Sequence, residues 1–471
     1  MNHAAPVLAR WAVDLSASEI ARIAGGEVRC GDPATRFACA VLDSRNVPAG
    51  ALFVALPGER HDGHDFLDDA IAGGASGALV MRSEHASGSG VRILVADTTA
   101  ALQALAAEWR RRKARPVIGI AGSNGKTTTK ETLAAVLAAS GPTHATPGNA
   151  NSQVGAPLAI LHAPETAERW VLELGTSMPG ELIRIAEMAA PDHAIVTAAF
   201  GEHLEFLKDI DGVVAEETTI LDALPDGGLA LVGSAEPRLP EAARGRDRLR
   251  VRSLGTRPDD DWQISEVVMQ RTGTSFVLVE QESGARWELH TPLLGEPAAW
   301  AAAFSAVMAR ELGLDDATIA RGLRAVEPAA HRLVAVEHAT RPLLVIDDCY
   351  NSNPAAAIKA IEATLALHAG RDRLILVLGD MLELGEVAED AHRTLGREAA
   401  ALAPKDTLVL AVGELSATLA DEARQAGANA VHVPDTTAAR ALLLAELEDD
   451  VSTTMLLKGS RGIALESLAE I

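Results

Sequence analysis

The residues best suited to chemistry lie between positions 117 and 131, read VIGIAGSNGKTTTKE. Within them, Gly122-Ser123-Asn124-Gly125-Lys126-Thr127-Thr128 sets two glycines ahead of a lysine and a threonine. Glycines let backbone N–H groups approach an anion closely, and a following helix adds its positive N-terminal end. In such a loop Lys126 reaches β- and γ-phosphates, and the Thr127 hydroxyl is placed to ligate Mg²⁺. The spacing is G-x-x-G-K-T, shorter than the full phosphate-loop string, because Ile120 stands where its first glycine would be. A glycine turn carrying a surface lysine is the plainer alternative. The flanks speak against it, since Val117, Ile118, Ile120 and Ala121 read as a buried strand. Thr129 to Ala139 reads as a helix.

Further polar residues follow predicted strands. Glu173 sits near the end of Trp170–Leu174, and His203 follows Ala194–Thr197. The segment TPGNANSQVGAPLAIL, residues 146–161, offers Asn149 and Asn151 before an apolar helix or strand. Ligands of parallel α/β sheets gather beyond the carboxyl ends of the strands. Lys126, Thr127, Glu173 and His203 are therefore expected to converge on one Mg-nucleotide. Taken singly, Glu173 or His203 reads equally well as a satisfied polar residue. Ser44 and Arg45 precede a strand at Leu52–Leu56, where a hydroxyl and a guanidinium can hold a diphosphate. On that evidence alone a capping serine and a surface arginine are the commoner explanation.

The chain that must position these groups has 471 residues, 48% hydrophobic and 23% charged, a length that suits about three domains. Its formal net charge of −23 argues against nonspecific nucleic-acid binding. The three cysteines, Cys30, Cys39 and Cys349, have neither metal nor disulfide spacing and read as small reduced residues. No signal peptide and no apolar run of membrane-spanning length is apparent, so a cytoplasmic protein without membrane insertion is expected.

The expected class is α/β in three parts. Residues 1–113 form a small α/β domain, opening on a capped helix at Ser16–Ile23. They close on Arg110-Arg111-Arg112-Lys113, read as a solvated helix end. Residues 114–326 form a central parallel sheet around the glycine loop, with a small antiparallel meander at 262–290 and a helix from Ala298 to Leu312. Residues 327–471 alternate strand and helix as a doubly wound, Rossmann-like domain without a G-x-G-x-x-G loop. Its strands are read at Leu343–Asp347, Leu374–Leu378, Leu408–Val412, Val431–Val433 and Met455–Leu457. Strand ends there carry DDCYNSNP, LGDMLELGE and KGSRG.

Together these motifs resemble the Mur ligase family over nearly the whole chain. LDSR and GALFVALPGERHDGHDF carry the resemblance at the N-terminus, and GSNGKTTTKE, GNAN, ELGTSMPGEL and HLE in the middle. DDCYNSNP, LGDMLELGE with His392, and KGSRG carry it at the C-terminus. DDxYNxNP with LGDMxELG points to the branch that adds D-alanyl-D-alanine to UDP-N-acetylmuramoyl-tripeptide. The DNPR signature of the diaminopimelate-adding branch is absent.

The resemblance implies an ATP-dependent amide ligase acting through an acyl phosphate in peptidoglycan precursor synthesis, reading as a monomer. By resemblance, Gly122 to Thr128 bind ATP, and Thr127 and Glu173 hold Mg²⁺. His203 ligates a second Mg²⁺. Asn149 and Asn151 touch the muramoyl side, and Ser44 and Arg45 the UDP end. Arg332, Asp348, Tyr350 and Asn351 close over ATP from the third domain.

The chain departs from the family pattern at several places. Ser152 replaces the second of two adjacent asparagines. Glu217 stands where the family has a lysine carbamylated by CO₂, so that its carboxylate is expected to supply the carbamate's charge. The plainer reading is a solvated helical glutamate beside Glu216. Gly295-Glu296-Pro297-Ala298 replaces G-x-H-N, whose asparagine contacts adenine, and His331-Arg332 replaces Gly-Arg. Two further readings follow from these departures: a ligase with a different acceptor, and a degenerate paralogue that binds precursor or nucleotide without turnover.

Overall fold

Parallel strands covered on both faces read as near-continuous apolar runs, and this chain has many. The computed structural model describes residues 15–58, 61–201, 204–328, 330–382 and 384–471. They form a mixed α/β fold around three larger sheets and one two-stranded pair, Leu15–Ser16 with Arg36–Phe37.

The first larger sheet runs Glu27–Cys30, Val91–Leu94, Gly77–Val80, Leu52–Val54, Ala40–Val41, parallel except for its first strand. The helix Ala17–Ile23 starts at a capping box, with the Ser16 hydroxyl accepting from Glu19 N and the Glu19 carboxylate accepting from Ser16 N.

The central sheet has nine strands. Its order is Arg286–Thr291, Gly273–Glu280, Trp262–Gln270, Arg250–Gly255, Leu229–Gly233, His193–Val196, Val117–Ala121, Arg169–Glu173, Thr143–Ala145. The first three strands are the expected meander, antiparallel to one another. Trp262–Gln270 then joins Arg250–Gly255 in parallel, so the meander extends one continuous sheet. The strand Val117–Ala121 lies between Arg169–Glu173 and His193–Val196, and the chain leaves it in opposite directions on its two sides. Such a switch point opens a crevice at the strand ends.

Alternate residues of that strand enter different cores. Ile118 and Ile120 pack with Leu133, Val136 and the helix Glu296–Glu311. Val117 and Ala121 join a core that continues into the N-terminal sheet. The segment after Gly148 forms the helix Gly155–Leu161, and the Ser152 hydroxyl accepts from Gly155 N at 3.2 Å at its start.

The third sheet runs Val334–Glu337, Leu343–Asp348, Thr453–Lys458, Arg373–Gly379, Leu408–Val412, Asn429–Val433. Leu344 and Ile346 face one core, Leu343 and Val345 the other, so helices cover both faces. The antiparallel edge strand Val334–Glu337, half-buried and short, is an addition to the expected set.

One expectation fails at the first junction. Arg110 is not part of a solvated helix end but is buried. Its guanidinium donates to the carbonyls of Ala189 and Ala190, at 3.0 and 2.9 Å, and pairs with Asp192 at 3.0 Å. A cation there completes the C-terminus of the helix Glu181–Ala189. Arg111 and Arg112 do lie on the outer surface, both paired with Glu108.

His162 gives this core a pH dependence. It is buried, and burial pushes its imidazole down from 6.5 to about 4. Between those values the unfolded chain binds a proton that the folded chain does not. Stability is therefore lost as pH falls through that window, by roughly 3 kcal/mol at most from this group. Urea unfolding at pH 7 and pH 5 checks this against His162→Gln, whose pH dependence is expected to be weaker. Equal dependence in both proteins contradicts it.

Candidate active site

The strand Val117–Ala121 ends in a loop that only glycine can start. Gly122 has φ +123, and a Cβ there would lie 2.2 Å from Thr197 Oγ1. Gly125, at φ +84, precedes the first turn of the helix Lys126–Ala138. The first N–H groups of a helix lack intrahelical acceptors, so the amides of Lys126, Thr127 and Thr128 face the loop's concavity as donors. The neighbouring strand end braces the loop. Ser123 N donates to the Ala198 carbonyl at 2.9 Å, and Phe200 N donates to the Ser123 hydroxyl at 2.6 Å. Thr197 Oγ1 donates to the Asn124 carbonyl at 2.6 Å. Lys126 Nζ lies over the loop, donating to the Gly122 carbonyl and, at 3.4 Å, to that of Ser123.

Three of the expected groups meet at the end of the next strand. Thr127 Oγ1 donates to Glu173 Oε1 at 3.1 Å, and Asn151 Nδ2 donates to the same oxygen at 2.7 Å. The other carboxylate oxygen, Glu173 Oε2, is buried without a hydrogen-bond partner among the described residues. Beneath them lies Lys130, a residue the sequence reading did not single out. It is fully buried, donates to the carbonyls of Thr146 and Gly148 at 2.8 and 2.7 Å, and stands 3.7 Å from Glu173 Oε2. Its signal was present as the second lysine of KTTTKE, four residues after Lys126 and so on the same helix face.

The adjacent acids are not solvated. Glu216 and Glu217 are both buried. Glu216 accepts from Thr176 Oγ1 and from the amides of Gly180 and Leu182, a structural role that helps position the start of the helix Glu181–Ala189. Glu217 Oε2 accepts from Gly122 N at 2.6 Å and so touches the loop directly. His203, expected to join this group, lies outside the described residues.

The third sheet reaches across to the same loop. Arg332 donates to Thr127 Oγ1 at 3.2 Å while its guanidinium stacks on Tyr350, 4.2 Å from the ring centre. Asn353 Nδ2 donates to Asn124 Oδ1 at 3.0 Å and its Oδ1 caps the helix Pro354–His368. Asp348 accepts from Leu333 N at 3.0 Å and pairs with buried Lys458 at 3.2 Å. Burial pushes its carboxyl up, against the opposing pull of Lys458 and Arg332. Asn351 is exposed, with its carbonyl accepting from Lys458 and its side chain from Ser352 N. Ala298, at the position of the absent asparagine, is buried, and Glu296 two positions earlier pairs with Lys359 at 2.7 Å.

The remaining expected residues do not meet this cluster. Ser44 is half-buried in its loop, and Arg45 is exposed with both carboxylate oxygens of Asp43 on its guanidinium. Asn149 is exposed. Among the described residues, no helix is long and apolar enough to cross a membrane.

Comparison with known proteins gives three family matches along the chain. Residues 38–116 match the Mur ligase family catalytic domain, 120–309 the Mur ligase middle domain, and 331–461 the Mur ligase glutamate ligase domain. The UDP-N-acetylmuramoyl-tripeptide–D-alanyl-D-alanine ligase of Bacillus subtilis is 33% identical, with 91% of each chain covered. That of Escherichia coli is 31% identical, covering 97% of this chain and 98% of its own. Among solved structures, MurF from Acinetobacter baumannii superposes with a TM-score of 0.87 at 28% identity, covering 98% of both chains. MurF from Thermotoga maritima in complex with ADP superposes with 0.78 at 26% identity, covering 92% of this chain and 96% of its own.

Proposed function

Because the chain belongs to the Mur ligase family, we propose that it joins D-alanyl-D-alanine to UDP-N-acetylmuramoyl-tripeptide at the expense of ATP. The observation that carries this reading is the meeting of Thr127, Glu173 and Arg332 at the mouth of the glycine loop, drawn from two sheets.

The chemistry runs in two displacements. An oxygen of the tripeptide's terminal carboxylate bonds to the γ-phosphorus of ATP as the bond to ADP breaks, giving an acyl phosphate. The amine of D-alanyl-D-alanine then bonds to the acyl carbon, loses a proton and expels phosphate. Phosphoryl transfer of this kind is catalysed mainly by positioning and by charge stabilisation. The loop amides and the Lys126 ammonium meet the phosphate oxygens, with Gly122 to Thr128 lining the cradle. Arg332, Asp348, Tyr350 and Asn351 cover the nucleotide from the third domain, and closure of that domain completes the site. Asn149 and Asn151 serve the muramoyl side, and Ser44 and Arg45 the UDP end.

A Mg²⁺ ion fits beside the loop. The donor set is all oxygen, and the buried Glu173 Oε2 without a hydrogen-bond partner is an acceptor suited to a hard cation. Thr127 and Glu173 would hold it, and it would draw negative charge from the β- and γ-phosphates. His203 is the proposed ligand of a second ion. The division into 1–113, 114–326 and 327–471, a monomeric state and a cytoplasmic site of action belong to the same reading. The three family ranges support the division.

Glu217 is proposed to stand in for the family's carbamylated lysine. Its buried carboxylate on the loop's first amide supports this. Glu217→Gln keeps an acceptor for that amide but removes the charge. It is expected to lower kcat about 10–100-fold, with wild-type turnover indifferent to bicarbonate. Unchanged kcat in the variant would sink the assignment.

The reading as a whole is tested by phosphate release from ATP with Mg²⁺, UDP-N-acetylmuramoyl-tripeptide and D-alanyl-D-alanine, each omitted in turn. Release that needs every component, with pentapeptide product by mass, is expected. Release with another amine only would point to a different acceptor. Binding without release would point to a degenerate paralogue.

A further inference from the structure

Cys349 and His331 have no part in the reading above, yet they meet. Among the described residues, His331, Asp347 and Cys349 bring three ligand atoms within 4.8 Å of one another. His331 Nδ1 lies 2.7 Å from Asp347 Oδ2 and 3.9 Å from Cys349 Sγ. That Sγ lies 2.7 Å from Asp347 Oδ1 and 3.8 Å from Glu466 Oε2. The thiol is buried, while His331, Asp347 and Glu466 are each half-buried, so the cluster opens toward solvent on one side.

The fold explains the juxtaposition. Asp347 and Asp348 end the strand Leu343–Asp348, and neighbouring strand residues point to opposite faces. Asp348 turns to Lys458 and to the backbone of Leu333, and Asp347 turns to His331 and Cys349. Tyr350 N donates to the His331 carbonyl at 3.1 Å, which holds the two loops side by side.

A thiol, an imidazole and a carboxylate together suggest two chemistries. Nucleophilic catalysis needs the thiol to pass its proton to the imidazole. Here the thiol donates to Asp347 instead, and burial beside carboxylates holds it in the neutral form. That arrangement makes a poor nucleophile. The second chemistry is metal ligation. A tetrahedral ion with bonds of about 2.0–2.3 Å separates its ligand atoms by about 3.5 Å. The Sγ–Nδ1 and Sγ–Oε2 separations are already near that value. Asp347 has to turn outward from its three hydrogen bonds, with His331 Nδ1, Cys349 N and Cys349 Sγ, and the Glu466 carboxylate, which lies outside the three-residue group, has to swing in toward His331 and Asp347.

We propose that His331, Asp347, Cys349 and Glu466 form a site for a thiophilic divalent cation, Zn²⁺ being the type, on the strand face opposite Asp348. One sulfur, one nitrogen and two oxygens make up a four-ligand set of the kind zinc takes, and the sulfur disfavours Mg²⁺. On binding, Cys349 loses its thiol proton to solvent and its sulfur bonds to the cation, with no change in oxidation state. The site does not depend on the ligase reading.

The test uses the full chain, freed of any affinity tag and kept reduced with a phosphine, titrated with Co²⁺ and then with Zn²⁺. One equivalent of Co²⁺ is expected to bind with a thiolate-to-cobalt charge-transfer band that Zn²⁺ displaces. The band is expected to vanish in Cys349→Ser and to survive in Cys30→Ser and Cys39→Ser. His331→Gly guards against a folding defect, because His331 has φ +61, a conformation glycine adopts freely. That variant is expected to bind at least about 10-fold more weakly. Absence of the band in the wild-type chain, or a band of full strength in His331→Gly, overturns the proposal.

Discussion

Lys126→Ala is expected to lower ATP-dependent turnover about 10²–10³-fold while leaving the unfolding midpoint close to that of the wild type. The ammonium lies over the glycine loop, where it donates to the Gly122 and Ser123 carbonyls. Charge builds on the γ-phosphoryl oxygens as the phosphoryl group moves. A fixed cation lowers the energy of that state more than of bound ATP, so kcat falls further than affinity. The loop itself keeps its hydrogen bonds through Ser123, Asn124 and Thr197, which the substitution does not touch. Phosphate release, an ADP titration and a urea unfolding curve separate the effects. Unchanged kcat contradicts the role of Lys126, and a large loss of stability shows that it acts through the fold instead.

The second large effect belongs to Gly122→Ala. A methyl group there meets Thr197 Oγ1 at 2.2 Å and the amides of Thr197 and Ala198 at 2.9 Å. Two of these three obstacles are backbone in the central sheet's switch point and cannot rotate away. The φ of +123 adds strain for any L side chain. Strain and overpacking together are expected to cost about 3 kcal/mol and to abolish nucleotide binding, because Gly122 N would also leave Glu217. Gly125→Ala is the control. Its φ is +84, but its nearest neighbour, Thr197 Cβ, is 3.9 Å away, so strain acts there without collision. The ordering expected in urea unfolding and ADP binding is wild type, then Gly125→Ala, then Gly122→Ala. Equal effects of the two substitutions contradict the geometric argument.

Both substitutions fall in the stretch that the sequence exposes most plainly. The glycine loop is legible because its chemistry is local, with strand, loop and helix consecutive in the chain. Glu173 is legible for a related reason, since parallel strands bring their carboxyl ends to one edge even when 46 positions separate Thr127 from Glu173. What resisted reading is what depends on burial between elements. Arg110 in a run of four basic residues looks like a solvated helix end, and only the partly exposed C-terminus of Glu181–Ala189 beside it explains why one of the four is buried. Glu216 and Glu217 look like a polar helix face for the same reason. Their partners include the Thr176 hydroxyl and the amides of Gly180, Leu182 and Gly122, pairings that leave no signature in the sequence. The Asn353–Asn124 bond links positions 229 residues apart, and neither asparagine announces the other.

The most direct test of the account follows one oxygen atom. UDP-N-acetylmuramoyl-tripeptide is prepared with heavy oxygen in its terminal carboxylate and turned over with ATP, Mg²⁺ and D-alanyl-D-alanine. If that carboxylate attacks the γ-phosphorus and the amine later expels phosphate, an oxygen of the carboxylate leaves with the phosphate. Each released phosphate is expected to carry one heavy oxygen, in step with pentapeptide formation. Amide formed alongside unlabelled phosphate, or phosphate released without amide, would contradict it.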